Sequence, residues 1–497
     1  MKNKNLWMSA AAALVTAVAL AGCGSTTYFA GRPLPPSGLS NRVLIAIQNP
    51  SALATGALEF VDAHYDIRCK YNAENCTGPA FSISGFSGNL PITIQNMPEE
   101  LTGAIYSSGD GTLTQINYAG EKTIGAVGGL NGASSSIYIT RNQTYVFAAS
   151  QTSHALTVVD KSSTNAGSYP LSLPGVYRVS VNPGGSVALA FVQNSNFVYY
   201  PVKLTSAETL AYSGGPSTWP KGAQDCEPQA APGWCLLQAL DPNGNPLSFD
   251  RPVKAVFSAD GSTAYVLNCG PECGGTKASI TSLPVSPMIY LVGQASGTLP
   301  AASSPSAQCG TVNISTGCIP IPGGASNALV DSSTMYVAGQ AWTSTPTGNY
   351  WGGNLTVVNL ANKTVVPSTS AVPNPVSISD GAPGAISRMV EADNDTLWIG
   401  MKQCNNGVRA NNNLPFGCLT MVNLATNAVT LMPYNGDATG IAAVTGLNKI
   451  YTAEGGQVYI YSTVDGSAID NRYVTVTGTA YDVAYMDADT DANNTVY

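Results

Sequence analysis

Three carboxylates near the end of the chain have the spacing of a calcium-binding loop. Asp487, Asp489 and Asp491 alternate along the stretch DADTD, and oxygen ligands alternate in the same way in loops that bind calcium. Ala492 stands where such a loop normally has glycine, and no closing glutamate is present. The alternative is a polar turn between two strands. Calcium at these three residues is therefore a hypothesis, and the sequence indicates no other cofactor.

Four charged residues within apolar strands are the second candidate for chemistry. They are Arg178, Lys254, Arg388 and Asp482. If the fold brings the three cations together, they would attract an anionic ligand, and a nearby carboxylate would favour an enzyme. The alternative is that each charge is solvated or paired for structural reasons.

Common catalytic signatures are absent from the sequence. It contains no G-x-S-x-G, H-E-x-x-H or G-x-x-x-x-G-K-[ST] pattern. Its 2 histidines, His64 and His154, are far apart, so we expect no Ser-His-Asp triad. The formal net charge of −8 and the lack of a Lys/Arg run argue against nucleic-acid binding.

The elements that must position these residues form a repeat. An apolar strand, a polar turn and a second apolar strand recur, as in 254–268 (KAVFSADGSTAYVLN). Further copies lie at 104–120, 137–160, 179–202, 328–338, 389–399 and 441–462. Apolar and polar residues alternate within each copy, which is typical of strands. The spacing fits one four-stranded sheet per copy, and radial repetition of such sheets is a β-propeller. Two β-sandwiches are the alternative fold.

Both ends of the sequence fit the same ring. Residues 42–47 and 56–62 resemble the second and third strands of a unit that lacks its first strand. Residues 481–497 supply a first strand, a turn and the start of a second strand. Pairing these ends closes the ring and hides both sheet edges. The sequence therefore predicts one all-β propeller domain over residues 41–497, with seven or eight four-stranded antiparallel blades.

Two short motifs carry a resemblance to a known family. Tyr336-Val337-Ala338 and the LTVVD stretch at 156–160 resemble the signature strands of YVTN propeller repeats. The resemblance covers most of residues 42–497. It implies that first strands line a central channel, so the four charged residues above are expected to point there. Propellers similar to the 6-phosphogluconolactonase group hydrolyse lactones with polar residues at the channel mouth, which implies a lactone hydrolase as an alternative function.

Long insertions decorate one face of the predicted ring. They lie at 206–250, 269–277, 295–325, 340–353 and 402–417. Four tryptophans in or beside them, Trp219, Trp234, Trp342 and Trp351, are candidate binding residues. Function is commonly carried on loops that a rigid scaffold supports, and aromatic residues are frequent binding anchors. The alternative is that these side chains only pack their own loops.

The first residues have the pattern of an export signal. Lys2 and Lys4 precede an apolar stretch that ends in Leu20-Ala21-Gly22-Cys23. This ending resembles a bacterial lipobox, which implies a signal peptide at 1–22, a lipidated Cys23 and a flexible tether over 23–40. Because no aspartate follows Cys23, the resemblance implies the outer membrane, with contact to the membrane only through the lipid anchor. An ordinary signal peptide is the alternative.

The other ten of the 11 cysteines fall into neighbouring pairs. These pairs are Cys69/Cys76, Cys226/Cys235, Cys269/Cys273, Cys309/Cys318 and Cys404/Cys418. In an oxidising compartment local disulfides are the natural interpretation. A zinc site around the Cys269 pair is the alternative, but no second ligand pair lies at matching spacing.

The sequence thus predicts an exported, envelope-anchored propeller that binds an envelope protein or glycan. A lactone hydrolase and a scaffold of an envelope assembly complex are the alternatives. An aromatic patch on the insertion face would favour binding. Charged residues clustered at one channel mouth would favour the enzyme, and a bare blade edge would favour assembly.

Overall fold

The fold is an eight-bladed β-propeller. The computed structural model describes residues 31–51, 55–69, 79–130, 132–162, 167–227, 233–285, 308–314, 317–345, 348–379, 384–404, 418–433, 435–470 and 474–494. The predicted propeller is confirmed, with eight blades rather than seven. The signal peptide, Cys23 and part of the tether lie outside the described residues.

Strands are numbered in chain order and blades by their first strand. Blade 1 contains β3 (Pro91–Met97), β4 (Thr102–Ser107), β5 (Thr112–Asn117) and β6 (Lys122–Val127). Blade 2 contains β7 (Ala133–Ile139), β8 (Tyr145–Ser150), β9 (Ala155–Asp160) and β10 (Gly167–Ser172). Blade 3 has five strands, β11 (Val176–Val181), β12 (Ala188–Val192), β13 (Val198–Lys203), β14 (Ala223–Glu227) and β15 (Trp234–Gln238).

The next three blades carry most of the insertions. Blade 4 contains β16 (Pro252–Phe257), β17 (Thr263–Asn268), β18 (Ser279–Pro284) and β19 (Cys318–Pro320). Blade 5 contains β20 (Asn327–Asp331), β21 (Thr334–Thr345), β22 (Gly348–Asn359), β23 (Thr364–Val365) and β24 (Val376–Ser377). Blade 6 contains β25 (Ala385–Ala392), β26 (Thr396–Lys402), β27 (Leu419–Asn423) and β28 (Val429–Leu431).

The last two blades complete the ring. Blade 7 contains β29 (Ala438–Val444), β30 (Lys449–Glu454), β31 (Gln457–Ser462) and β32 (Ala468–Ile469). Blade 8 contains β33 (Thr479–Tyr485), β1 (Arg42–Gln48) and β2 (Gly56–Asp62), in that order from the inside. First strands of successive blades contact one another around the ring, so these strands form the wall of the channel.

The ring closes as predicted, by antiparallel pairing of β1 with β33. Buried Arg42 reinforces the closure, because its Nη2 lies 2.6 Å from Oδ1 of Asp487 and its Nη1 lies 2.9 Å from Oε1 of Glu121. The described residues after β33, 486–494, form no strand, and residues 490–494 line one end of the channel. The predicted start of a second strand would fall on residues 495–497, which lie outside the described residues.

The core consists of apolar layers between adjacent blades. One such layer joins Phe147 of blade 2 to Trp234 and Leu236 of blade 3. Successive side chains of a strand point to opposite faces of its blade. Each middle strand, buried on both faces, therefore contributes apolar side chains to the layers on both sides.

Among the described residues, the α-helix and the two 3₁₀ turns lie in insertions. The helix α1 (Ser206–Tyr212) has a capping box between Thr205 and Glu208, and is too short to show an apolar stripe in the sequence. Two 3₁₀ turns occur at Pro216–Thr218 and Gly270–Cys273. Of the helices that the structure describes, none is long and apolar enough to span a bilayer.

Four of the predicted disulfides are confirmed. They join Cys226 to Cys235, Cys269 to Cys273, Cys309 to Cys318, and Cys404 to Cys418. The pair Cys69/Cys76 is not covered, because Cys76 lies outside the described residues. Four disulfides within one domain indicate folding in an oxidising compartment.

Candidate functional site

A cavity of about 430 Å³ occupies the central channel. The first strands of blades 4 to 8 and blade 1 line it, together with the segment 490–494. Its volume lies within the range of about 300–1,000 Å³ that is usual for sites of small ligands.

A recurring β-bulge brings charged residues to one level of this channel. The pairing between first and second strands skips one residue immediately before Arg178, Lys254, Arg388 and Asp482. Bulges redirect side chains and are frequent beside functional sites. The common position of the bulge explains why charges from separate repeats lie at similar depth in the ring.

We call Lys254, Asn327, Arg388 and Asp482 the polar tier. Arg388 forms an ion pair with Asp482, with Nη1 3.0 Å from Oδ1 and Nη2 3.0 Å from Oδ2. Lys254 Nζ donates to Asn327 Oδ1 over 2.9 Å. Gly440 leaves room for this arrangement, since a Cβ there would lie 2.4 Å from Oδ1 of Asp482.

Lys254 is the cation whose charge is least compensated. Among the described residues its side-chain partner is the neutral amide of Asn327, and no ion pair to a carboxylate is formed. Burial lowers the pKa of Lys254 to about 7, and the positive charges of Arg178 and Arg388 contribute to the shift. Burial raises the pKa of Asp482, although Arg388 acts in the opposite direction. A negative charge beside Lys254 and Arg388 would therefore be stabilised.

Arg178 contributes charge but does not line the cavity. Its Nη1 donates to the carbonyl of Val253 over 3.4 Å, and its guanidinium lies 5.7 Å from the centre of the Tyr177 ring. Lys254 and Arg388 therefore lie at the cavity wall, and Arg178 is near enough to lower the pKa of Lys254.

Five apolar side chains follow the polar tier along the channel. We call them the apolar tier: Val256, Leu329, Val390, Ala442 and Ala484. Each lies two residues beyond a polar-tier position or Gly440, and residues two apart on a strand share a face. The channel therefore changes from charged to apolar within one step along its wall.

The segment 487–494 covers the far end of the cavity. Glu99 N donates to Asp491 Oδ1 over 2.9 Å, and Arg141 Nη2 lies 2.6 Å from Asp491 Oδ2. On the opposite side Glu391 N donates to Asn493 Oδ1 over 2.9 Å. These contacts join blades 1, 2 and 6 across the channel mouth.

The three residues of the calcium hypothesis have different surroundings. Asp487 is buried against Arg42, Asp489 is exposed, and Asp491 lies with Glu99 and Glu100, their ligand atoms within 4.8 Å of one another. Arg141 already supplies positive charge to that carboxylate cluster. Calcium at Asp487, Asp489 and Asp491 stays a prediction, and the geometry does not bring the three together.

The four candidate tryptophans lie in three different places. Trp234 is 4% exposed, packs in the layer between blades 2 and 3, and donates from Nε1 to Asp160. Trp219 is partly buried against the layer between blades 3 and 4. The structure does not support Trp234 as a binding residue, because its side chain has no accessible face.

Trp342 and Trp351 form an exposed aromatic pair. They lie directly opposite each other on β21 and β22, with ring centres 5.3 Å apart in an edge-to-face arrangement. Trp342 is 56% exposed. Trp342 is thus accessible to a partner, and a role of this pair in binding stays a prediction.

Some residues of the cavity were missed in the sequence. Asn327 and Arg141 do not occupy the bulged position that several repeats share, so the repeat pattern does not single them out. The residues of the apolar tier have the same types as ordinary core residues. The one available signal was the alternation that places Val256 and Val390 two residues after a charge.

No protein-family model matches the chain, and no curated protein matches it. Several solved structures share the fold. Hydrazine synthase from Kuenenia stuttgartiensis is 12% identical with a TM-score of 0.44, covering 79% of this chain and 99% of that one. AztD from Citrobacter koseri is 11% identical with a TM-score of 0.46, covering 89% and 96%. A putative 6-phosphogluconolactonase from Bacteroides fragilis is 10% identical with a TM-score of 0.39, covering 91% and 99%. At these identities and TM-scores, the likenesses carry no conclusion about this chain.

Proposed function

We propose that this protein is an exported binding protein whose central channel holds a small anionic ligand. The observation that carries the proposal is Lys254, which faces a cavity of about 430 Å³ beside Arg388 without a carboxylate partner among the described residues. Lys254 is partly buried, and a cation withdrawn from water without a counter-charge is costly. An anion that enters the cavity would supply that charge.

Binding is favoured over catalysis by the state of Asp482. Its carboxylate accepts hydrogen bonds from Arg388, from the backbone N–H of Ile94 at 2.8 Å and from that of Val483 at 2.9 Å. A carboxylate engaged in this way positions Arg388 and is a poor general base.

A calorimetric titration with small anions tests the proposal. We expect acetate and other carboxylates to bind, and neutral compounds of the same size to give no heat. The variant Lys254→Met should lose about tenfold or more in affinity, since a hydrogen bond to a charged group contributes about 1.5–3 kcal/mol. Lys363→Met, which removes an exposed lysine, is the matched control. Equal affinities of Lys254→Met and the parent protein would refute the proposal.

Lactone hydrolysis is the second candidate function. The lowered pKa of Lys254 favours it, because a neutral amine can act as a base. Its neutral amine could take a proton from water as that water attacks the lactone carbonyl. The ring C–O bond would then break and the leaving oxygen would regain the proton. Turnover of sugar lactones that disappears in Lys254→Met, but not in Lys363→Met, would establish this activity.

We also propose that lipid on Cys23 anchors the propeller in the outer membrane, where Trp342 and Trp351 bind an envelope protein or glycan. The support is the lipobox resemblance and the disulfides. Incorporation of a clickable fatty acid by the parent chain and not by Cys23→Ala would support the anchor, whereas equal labelling would refute it.

A further inference from the structure

We infer that the ligand of the central channel is an amphipathic carboxylate, bound with its acid group at the polar tier and an apolar chain or ring along the apolar tier. This inference rests on the proposed function and specifies its ligand class.

The net charge of the polar tier suits a ligand that carries one negative charge. Lys254, when protonated, and Arg388 supply two positive charges and Asp482 supplies one negative charge, so the tier itself carries one unit of positive charge. Arg178 and Lys402 lie outside the tier and add positive charge nearby. A monoanion would neutralise the tier, whereas a dianion would leave an uncompensated charge in a confined site.

The wall beyond the polar tier offers little to a strongly hydrated ligand. Val256, Leu329, Val390, Ala442 and Ala484 face the cavity at the next step, which lies about 7 Å farther along a strand. An inorganic anion would leave this space unfilled, and a polyhydroxylated acid would lose water there without finding new hydrogen-bond partners. An apolar body of several carbon atoms would gain by leaving water.

The covered end of the channel limits how long that body can be. Glu99 and Arg141 line the mouth beneath the segment 487–494, and the segment itself contributes Asn493. Their polar groups already bond across the mouth. An apolar chain that reaches this level would meet polar groups again. The gain from added carbon atoms should therefore stop at a definite length.

A homologous series of straight-chain carboxylates, from acetate to decanoate, tests the inference by calorimetry. Each methylene group that enters the apolar tier should tighten binding by about fourfold, until affinity reaches a plateau. Alcohols of the same chain lengths control for the apolar body alone, and gluconate controls for a hydrophilic acid. Short and long carboxylates of equal affinity, or gluconate binding as tightly as hexanoate, would overturn the inference.

Two variants test whether the alkyl chains of these carboxylates contact the apolar tier. Leu329→Asn places a polar amide at a half-buried position, and Val256→Thr changes polarity at nearly constant shape. Both should flatten the dependence of carboxylate affinity on chain length. A dependence unchanged in both folded variants would overturn the placement of the chain.

The results separate this inference from the proposal on which it depends. If no anion binds at any chain length, the proposed function itself fails. If carboxylates bind in a manner that requires Lys254 but ignores chain length, the proposed function stands and the amphipathic ligand is wrong.

Discussion

Replacing Lys254 by methionine should stabilise the empty protein, and the gain should depend on pH. Methionine keeps an unbranched chain but removes the amine. Burial lowers the pKa of Lys254 from 10.5 to about 7, so folding opposes the charged form. The free energy by which the buried ammonium group destabilises the folded protein is greatest below pH 7, where the folded protein must hold the proton. This destabilisation decreases as pH rises from 7 towards 10.5.

The magnitude follows from proton linkage. Between pH 7 and 10.5 the unfolded chain binds a proton that the folded protein lacks, so the free energy of unfolding rises by about 1.4 kcal/mol per pH unit. From pH 7 to pH 9 the parent protein should gain about 2 kcal/mol that Lys254→Met does not gain. Because the cavity admits water to the ammonium group, this value is an upper limit.

Urea unfolding of both proteins at pH 7, 8 and 9 measures the effect without ligand. Other titrating groups cancel, because they are common to both proteins. Lys254→Met should be more stable at pH 7, with an advantage that shrinks at each step, while Lys363→Met should show a constant difference from the parent protein. An advantage of Lys254→Met that stays constant over this range would refute the argument for a depressed lysine pKa.

Four further results are expected. Anion affinity should fall as pH rises above about 7, by up to tenfold per unit, because that lysine loses its proton; titrations at pH 6.5 and 8.5 check this. Burial raises the pKa of Glu454 from 4.5 to about 7. Between these pH values the unfolded chain releases a proton that the folded protein keeps, so the free energy of unfolding falls as pH rises. The stability of Glu454→Gln relative to the parent protein should therefore increase by up to about 3 kcal/mol between pH 5 and pH 8. Asp487→Asn removes one of the two carboxylates that pair with buried Arg42 and should cost about 3 kcal/mol in urea unfolding. Trp342→Ala should change stability by less than about 0.5 kcal/mol but abolish pull-down of envelope fragments, whereas Trp234→Ala should cost about 3–5 kcal/mol.

The blades could be predicted because their signal is local. Each repeat alternates apolar and polar residues over one hairpin, and such alternation follows directly from strand geometry. Closure was also predictable, because residues 42–47 and 56–62 had no first strand of their own. The choice between seven and eight blades required the weak copy at 104–120, which forms β4 and β5.

The cavity could be predicted only in part. Lys254 and Arg388 were visible as charges within apolar strands, but the bulge that aligns them has no constant residue. Tyr177, Val253 and Ser387 occupy it in successive cases. The burial of Trp234 depends on contacts between blades, which no local pattern in the sequence records.

The closure of the ring also determines when the cavity can exist. Asp482, which orients Arg388, belongs to β33, and β33 pairs with β1 from the opposite end of the domain. A chain that crosses a membrane from its N-terminus would present β1 long before β33 arrives. The cavity would therefore be assembled last, and the protein would bind its ligand only after every blade is in place. A ligand that prefers the closed ring would in turn hold the two ends of the domain together.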